Sequence, residues 1–154
     1  MSSKTGHEPD LLKLYSNRIL ALASDLPHVG RLANPHASSK RRAPLCGSMV
    51  TIDIAMENGV ITEYAQDVKA CALGQASAAI LGENIIGCSI VQVRTARDQM
   101  AAMLRENGPV PEAPFEGFEV LVPARDFANR HASILLAVEA TLDAMSQLQH
   151  ADCA

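Results

Sequence analysis

Aromatic side chains are scarce in this sequence: no Trp, two Tyr and three Phe, 3% of 154 residues. Reading nucleic acid by base stacking needs several exposed rings on one face, so that class of function is excluded. Positive charge is also short. Thirteen Lys and Arg face seventeen Asp and Glu, and a net charge of −4 opposes broad binding to a phosphate backbone. The single basic run, Lys40-Arg41-Arg42, reads as a solvated loop or, alternatively, as a contact for an acidic protein partner. No apolar run approaches the roughly 20 residues that span a bilayer. Residues 1–10 are polar and lack the apolar stretch of a signal peptide. The expectation is a cytoplasmic protein with no membrane partner, in which cysteines bind metal, react or pack rather than form disulfides. The four cysteines, at 46, 71, 88 and 153, include no Cys-x-x-Cys pair, which excludes a zinc finger or ribbon. Gly-rich phosphate loops, Gly-x-Ser-x-Gly and His-Glu-x-x-His are all missing, and no carboxylate pair stands out as acid–base machinery. The chain is expected not to be an enzyme.

What is present is enough for one domain. A chain of this length buries roughly 70% of its unfolded surface, and Ala, Leu, Ile, Val and six Met must fill the core. The expected organisation is a tail over 1–9, a single domain over 10–148 and a frayed end over 149–154. Leu11, Tyr15, Ile19, Leu22 and Leu26 make one apolar helical stripe, with Asp10 at the N-cap position and Pro27 as the stop. Residues 27–45 form an extended connector. From Met49 the period changes to two, with Val50, Ile52, Ile54 and Met56 on one face and Thr51, Asp53 and Ala55 on the other. Asn58-Gly59 then signals a tight hairpin into a second strand, and a third strand is expected from the connector before Cys46. An Ala-rich helix follows Cys71. Ser89 and Gln92 have capping-box spacing at the head of a helix whose buried stripe is Val93, Ala96, Met100 and Met103. Leu135, Val138, Leu142 and Met145 mark a last helix. The order predicts an α+β fold: a three-stranded antiparallel sheet with helices packed on one face.

The cysteines carry most of the chemical information. Cys46 precedes the first hairpin strand and Cys71 follows the second, so antiparallel pairing brings both to the same end of the sheet. Cys71 also falls at a helix N-terminus, where the helix dipole favours thiolate over thiol. Two thiolates joined by the fold suit a soft metal. The alternative is that both are small buried hydrophobes. Cys88, in an apolar setting, reads as a core residue, and Cys153 as an exposed bystander. His7, His28, His36 and His150 read as surface residues. His131 opens the last helix, either as a cap or surface residue or, if that end of the helix faces the cysteines, as a ligand.

Four segments, in order, resemble the U-type iron–sulfur cluster scaffold family (IscU, SufU and the N-terminal domain of NifU). They are Leu14-Tyr15-Ser16-Asn17-Arg18-Ile19 followed by Asn34-Pro35-His36; Pro44-Leu45-Cys46-Gly47-Ser48; Lys69-Ala70-Cys71-Ala72-Leu73-Gly74-Gln75; and Arg130-His131-Ala132-Ser133-Ile134-Leu135. The resemblance covers roughly residues 11–146 and implies a SufE/NifU-like fold. It also implies a scaffold that builds a cluster from iron and from sulfur supplied by a cysteine desulfurase, then passes it to apo-protein acceptors. The family's ligands are three cysteines, helped by an aspartate or histidine. Cys46 and Cys71 match the first two cysteines and His131 the histidine before the third. Ser48 stands where the family has aspartate, and Ala132 (or, with a one-residue shift, Ser133) where it has the third cysteine. Two readings follow. In one, the chain is a scaffold or carrier that binds iron or a cluster through Cys46 and Cys71, shared across a homodimer or completed with His131. In the other, it is a zinc-binding or metal-free homologue, with Cys46, Cys71 and His131 as zinc ligands, acting as a partner-binding or regulatory module of sulfur transfer.

Overall fold

A computed structural model describes residues 16–44 and 47–153. The alternating segment forms β2 (Met49–Glu57), which turns back into β3 (Val60–Lys69). Asn58 and Gly59 make the turn with φ of 55° and 80°, the left-handed pair that matches the twist of a two-residue hairpin. The expected third strand is β1 (Ala37–Arg42), antiparallel to β2, so the sheet order is β1-β2-β3. The Lys40-Arg41-Arg42 run therefore lies in an edge strand, not in a loop. Arg41 faces inward and pairs with Asp143 at 2.8 Å and Glu139 at 3.8 Å.

The inner face of the sheet carries Val50, Ile52, Ile54, Tyr64 and Gln66, all buried. Helices cover it. The first described helix, α1 (Asn17–Ala23), is capped by the Ser16 side chain accepting from the Ile19 N–H. It ends at Ser24, whose hydroxyl donates to the Leu20 carbonyl, several residues before Pro27. The expected cap at Asp10 lies outside the described residues. Helix α2 (Ala72–Asn84) packs between α1 and the last helix and touches β3. Helix α3 (Ile90–Arg105) starts with the expected capping box: Ser89 accepts from the Gln92 N–H, and Gln92 accepts from the Ser89 N–H. Its predicted stripe of Val93, Ala96, Met100 and Met103 is buried. The last helix, α4 (His131–Cys153), crosses β1 and β2 and also packs on α2 and α3. The Tyr64 hydroxyl meets Thr141 of α4 at 2.9 Å, joining sheet and helix through a buried polar contact.

Two features were not legible in the pattern. Residues Glu116–Asp126 wind into 3-10 turns that bury Phe115, Phe118, Leu121 and Ala124 against α3. Arg125 closes this region by donating to the Met103 and Gly108 carbonyls at the end of α3, a cation where the helix dipole is negative. The second is on the outer face of the sheet. The connector runs back along β3, pairing His28 and Gly30 with Gln66, and then straps Arg31 and Leu32 over Asp53. Asp53 is thereby buried. It accepts from Arg31 Nε at 2.7 Å, Arg31 Nη2 at 3.0 Å, the Leu32 N–H at 3.0 Å and the Ser38 hydroxyl at 2.6 Å. Among the described residues, no helix is long and apolar enough to cross a membrane.

Candidate functional site

Strand β3 ends at Lys69 opposite Met49, and two residues later the chain enters α2. Cys71 occupies the N-cap, in extended backbone geometry with φ −67° and ψ 171°. Ser, Thr, Asp or Asn is usual there, because its side chain accepts from an otherwise unpaired N–H of the first helical turn. The Cys71 side chain makes no such bond. Gln75 braces the junction instead, its side-chain amide donating to the Val68 and Ala70 carbonyls. The thiol is half-buried and free.

Its neighbour is Ser133, in the first turn of α4. Ser133 Oγ lies 3.7 Å from Cys71 Sγ and 2.9 Å from Ser48 Oγ, and both serines are buried. Ser48 arrives from the turn between β1 and β2, which closes through Ala43 N–H to the Ser48 carbonyl at 2.8 Å and Gly47 N–H to the Ala43 carbonyl at 3.2 Å. Three separate elements thus converge on one thiol. The chain Ser48–Ser133–Cys71 can run with each hydroxyl donating towards sulfur. The approach of α4 is possible only because residue 74 is glycine. A Cβ on Gly74 would stand 2.6 Å from Ser133 Oγ and 2.8 Å from the Ala70 Cβ. One turn further along α2, Ser77 donates to the Ile134 carbonyl at 2.7 Å and holds the two helices in that register.

The other candidates fall in different places. Cys46 lies outside the described residues; Ala43, Gly47 and Ser48 on either side of it lie at the end of the sheet that bears Cys71. His131 is 4% exposed, and its Nε2 donates to the Ala124 carbonyl at 2.9 Å. That bond fixes the entry into α4, and with it the position of Ser133. Ala132 is half-buried and packs against the core. Cys88 is buried at the opposite end of the sheet, where its thiol donates to the Asn84 carbonyl at 3.2 Å and burial pushes its pKa up. The side chains of His150 and Cys153 and all of His7 lie outside the described residues. His28 is exposed with its ring edge-on to Tyr64, and His36 Nδ1 accepts from the Met56 N–H at 3.1 Å. Among the described residues, no three His, Cys, Asp or Glu side chains gather at metal-binding spacing. A cavity of about 470 Å³, lined by His36, Met56, Ile90, Met145 and Leu148 among others, is at the hairpin end, away from the thiol. Ser133, which the sequence offers at the third-cysteine position only under a one-residue shift, is the residue of the Ala132-Ser133 pair whose side chain meets Cys71. The available signal was a lone hydroxyl in the apolar run that opens α4.

Comparison with known proteins agrees with this fold. Residues 14–118 match the family described as the NifU-like N terminal domain. That stretch contains Cys46 and Cys71 and stops before His131. Among solved structures, the chain resembles a nitrogen-fixing NifU-like protein (N-terminal) from Brucella abortus, with a TM-score of 0.89 and 43% identity over 91% of this chain and 97% of that one. It also resembles a putative iron–sulfur cluster assembly scaffold protein for the SUF system from Fervidobacterium islandicum, with a TM-score of 0.79 and 20% identity over 86% and 96% of the two chains. Among curated proteins, the iron–sulfur cluster assembly scaffold protein IscU of Thermotoga maritima is 22% identical over 135 residues, covering 88% of this chain and 94% of that one.

Proposed function

We propose, from the premise that this chain belongs to the NifU-like N-terminal domain family of iron–sulfur scaffolds, that it holds iron or an iron–sulfur cluster as cargo through Cys46 and Cys71. The observation that carries the reading is Cys71 itself: a free, half-buried thiol that takes a helix N-cap without making the cap bond, at the meeting point of three elements. A thiol placed there adds nothing to capping and is left for ligation. Two thiolates per chain leave a cluster short of its usual four protein ligands. The remainder comes from a second copy related by a two-fold axis, or from the partner that delivers or receives the cargo. We assign His131 to holding the start of α4, because its Nε2 is committed to a backbone carbonyl. Ser133 stands beside the sulfur and Ser48 supports that serine from behind. In this reading the chain carries out no reaction of its own on a small substrate. Its partners are a sulfur donor of the cysteine desulfurase class and apo-protein acceptors.

Anaerobic reconstitution with ferrous iron and sulfide, followed by desalting, tests the proposal. The expected product is brown, with matched iron and sulfide per chain, and both Cys46→Ala and Cys71→Ala lose them. If ligation is shared between copies, the loaded form elutes as a dimer and the apo form as a monomer. A colourless protein that instead retains stoichiometric zinc would replace the scaffold reading with a zinc-holding, partner-binding module of sulfur transfer.

A further inference from the structure

The Lys40-Arg41-Arg42 run is divided by the pleat of β1. Successive side chains of a strand point to opposite faces, and Arg41 goes inward to Asp143 and Glu139. Lys40 and Arg42 go outward, on the same face as Ser38 and Asp53. The pairing places two rows there: Lys40, Thr51 and Asp67, then Arg42, Met49 and Lys69. The strap's hydrogen bonds go to Asp53 and Gln66, and the Arg31 charge also acts on Asp67 at the margin of these rows. The rows surround an open hollow of about 70 Å³ lined by Lys40, Met49, Thr51, Asp67 and Lys69. Lys40, Arg42 and Lys69 are exposed, and none has a carboxylate within 4.0 Å among the described residues. The patch borders the candidate site, since Lys69 is two residues before Cys71 and Arg42 leads into the turn that bears Cys46.

We infer that this open face, flanked by Lys40 and Arg42 on one side and Lys69 on the other, is a docking surface for a carboxylate-rich segment of a protein partner. The inference rests on the functional reading above in one respect: docking there would bring the partner's reacting group to Cys71. Charge complementarity selects the partner. Three exposed cations with no carboxylate within 4.0 Å among the described residues form a local exception on a chain of net charge −4, and such an arrangement steers and orients an oppositely charged surface. Asp67, on β3 beside Lys69 and across Thr51 from Lys40, interrupts the cations, and with a net charge of −4 the chain offers no unbroken cationic track for a phosphate backbone. Thr51 and Met49 offer a hydroxyl and an apolar contact between the cations, as side chains of a peptide require. Charged edge strands also discourage sheet-to-sheet association, so the test must keep the edges charged.

The ¹⁵N-labelled full chain should be titrated with a short blocked peptide of alternating Glu and Ser, and with its Gln and Ser counterpart. Amide shifts should gather at 40–42, 49–51 and 67–71 for the acidic peptide only. The combined variant Lys40→Glu, Arg42→Glu, Lys69→Glu keeps the edges charged and should weaken binding by about tenfold or more. The control Arg18→Glu, Arg94→Glu, Arg105→Glu changes net charge equally and should leave binding unchanged. Equal weakening in both variants, or shifts elsewhere, would overturn the inference, because net charge alone would then explain binding. Tighter binding of a single-stranded oligonucleotide or of phosphatidylserine vesicles at the same residues would also overturn it, in favour of a phosphate ligand. Iron and sulfide retention separates the two proposals. Charge reversal is expected to leave it intact. A wild-type chain that binds the peptide but retains no iron breaks the scaffold reading and supports this one, while retention of iron without peptide binding breaks only this one.

Discussion

Cys71 and Cys88 stand at opposite ends of one sheet, each at the entrance to a helix. At the hairpin end, Cys88 turns inward and donates to Asn84, and the capping of α3 falls to the next residue, Ser89, with its reciprocal partner Gln92. At the other end, Cys71 occupies the cap position of α2 itself and leaves the capping bond unmade. The hairpin end therefore uses each side chain for stability. The thiol end gives up a cap bond, brings two buried hydroxyls towards sulfur and needs a glycine to let α4 approach. Departures from local stability rules mark functional sites more reliably than the presence of a reactive residue type.

The sharpest break of this comparison exchanges the two cysteines' fates. Cys71→Ala should abolish retention of iron and sulfide in reconstitution, and Cys88→Ala should retain both while losing about 1 kcal/mol of stability. Equal loss of iron from Cys88→Ala would end the distinction.

Asp53 lies between the two ends and tests their independence. Asp53→Asn should lower stability by about 2 kcal/mol in a denaturant titration, since a buried carboxylate loses charge-assisted bonds, yet leave iron retention intact. Burial alone would raise the Asp53 pKa. The bonds from Arg31, Ser38 and the Leu32 N–H, with the Arg31 charge, outweigh it and hold the carboxyl below the usual carboxylate range. A depressed folded-state value means that this stabilisation is complete above the unfolded value of about 4 and is lost as pH falls through the lower folded value. Acid unfolding in that window should be shallower for Asp53→Asn than for the wild type.

Gly74→Ala is a smaller perturbation aimed at the thiol end. Overpacking costs about 1–3 kcal/mol and helix propensity returns about 1. A net loss near 1 kcal/mol, or a melting temperature lower by roughly 3 °C, is expected. Ser89→Ala should cost about 1 kcal/mol at the hairpin end. Cys71→Ser gives the smallest effect and the opposite sign: a hydroxyl at the cap should stabilise α2 by about 0.5 kcal/mol while iron is lost. Thermal melts of these variants decide whether Cys71 is kept at the expense of stability.

Much of this architecture was legible before any coordinates. Alternation from Met49 to Met56 with Asn58-Gly59 defined the hairpin, and the Ser89–Gln92 spacing defined the start of α3, because turn and capping chemistry act over a few neighbouring residues. Cys71 at the entrance to α2 followed from the same local logic. The burial of Asp53 did not, since it depends on a strap more than twenty residues earlier in the chain. The cap of the first described helix did not either: Ser16 accepts from the Ile19 N–H within what reads in the sequence as one continuous apolar stripe.

The sequence by itself determined the hairpin, the third strand, the order of the principal helices and the place of Cys71 at the entrance to α2, because periodicity and turn chemistry are short-range properties. Tertiary structure alone decided that Ser133 faces Cys71, that His131 is spent on the Ala124 carbonyl, and that Lys40 and Arg42 part company with Arg41. Those outcomes depend on how α4 docks against α2 and β1, through Gly74, Ser77 and Asp143, and packing between segments distant in sequence leaves no periodic trace in the chain.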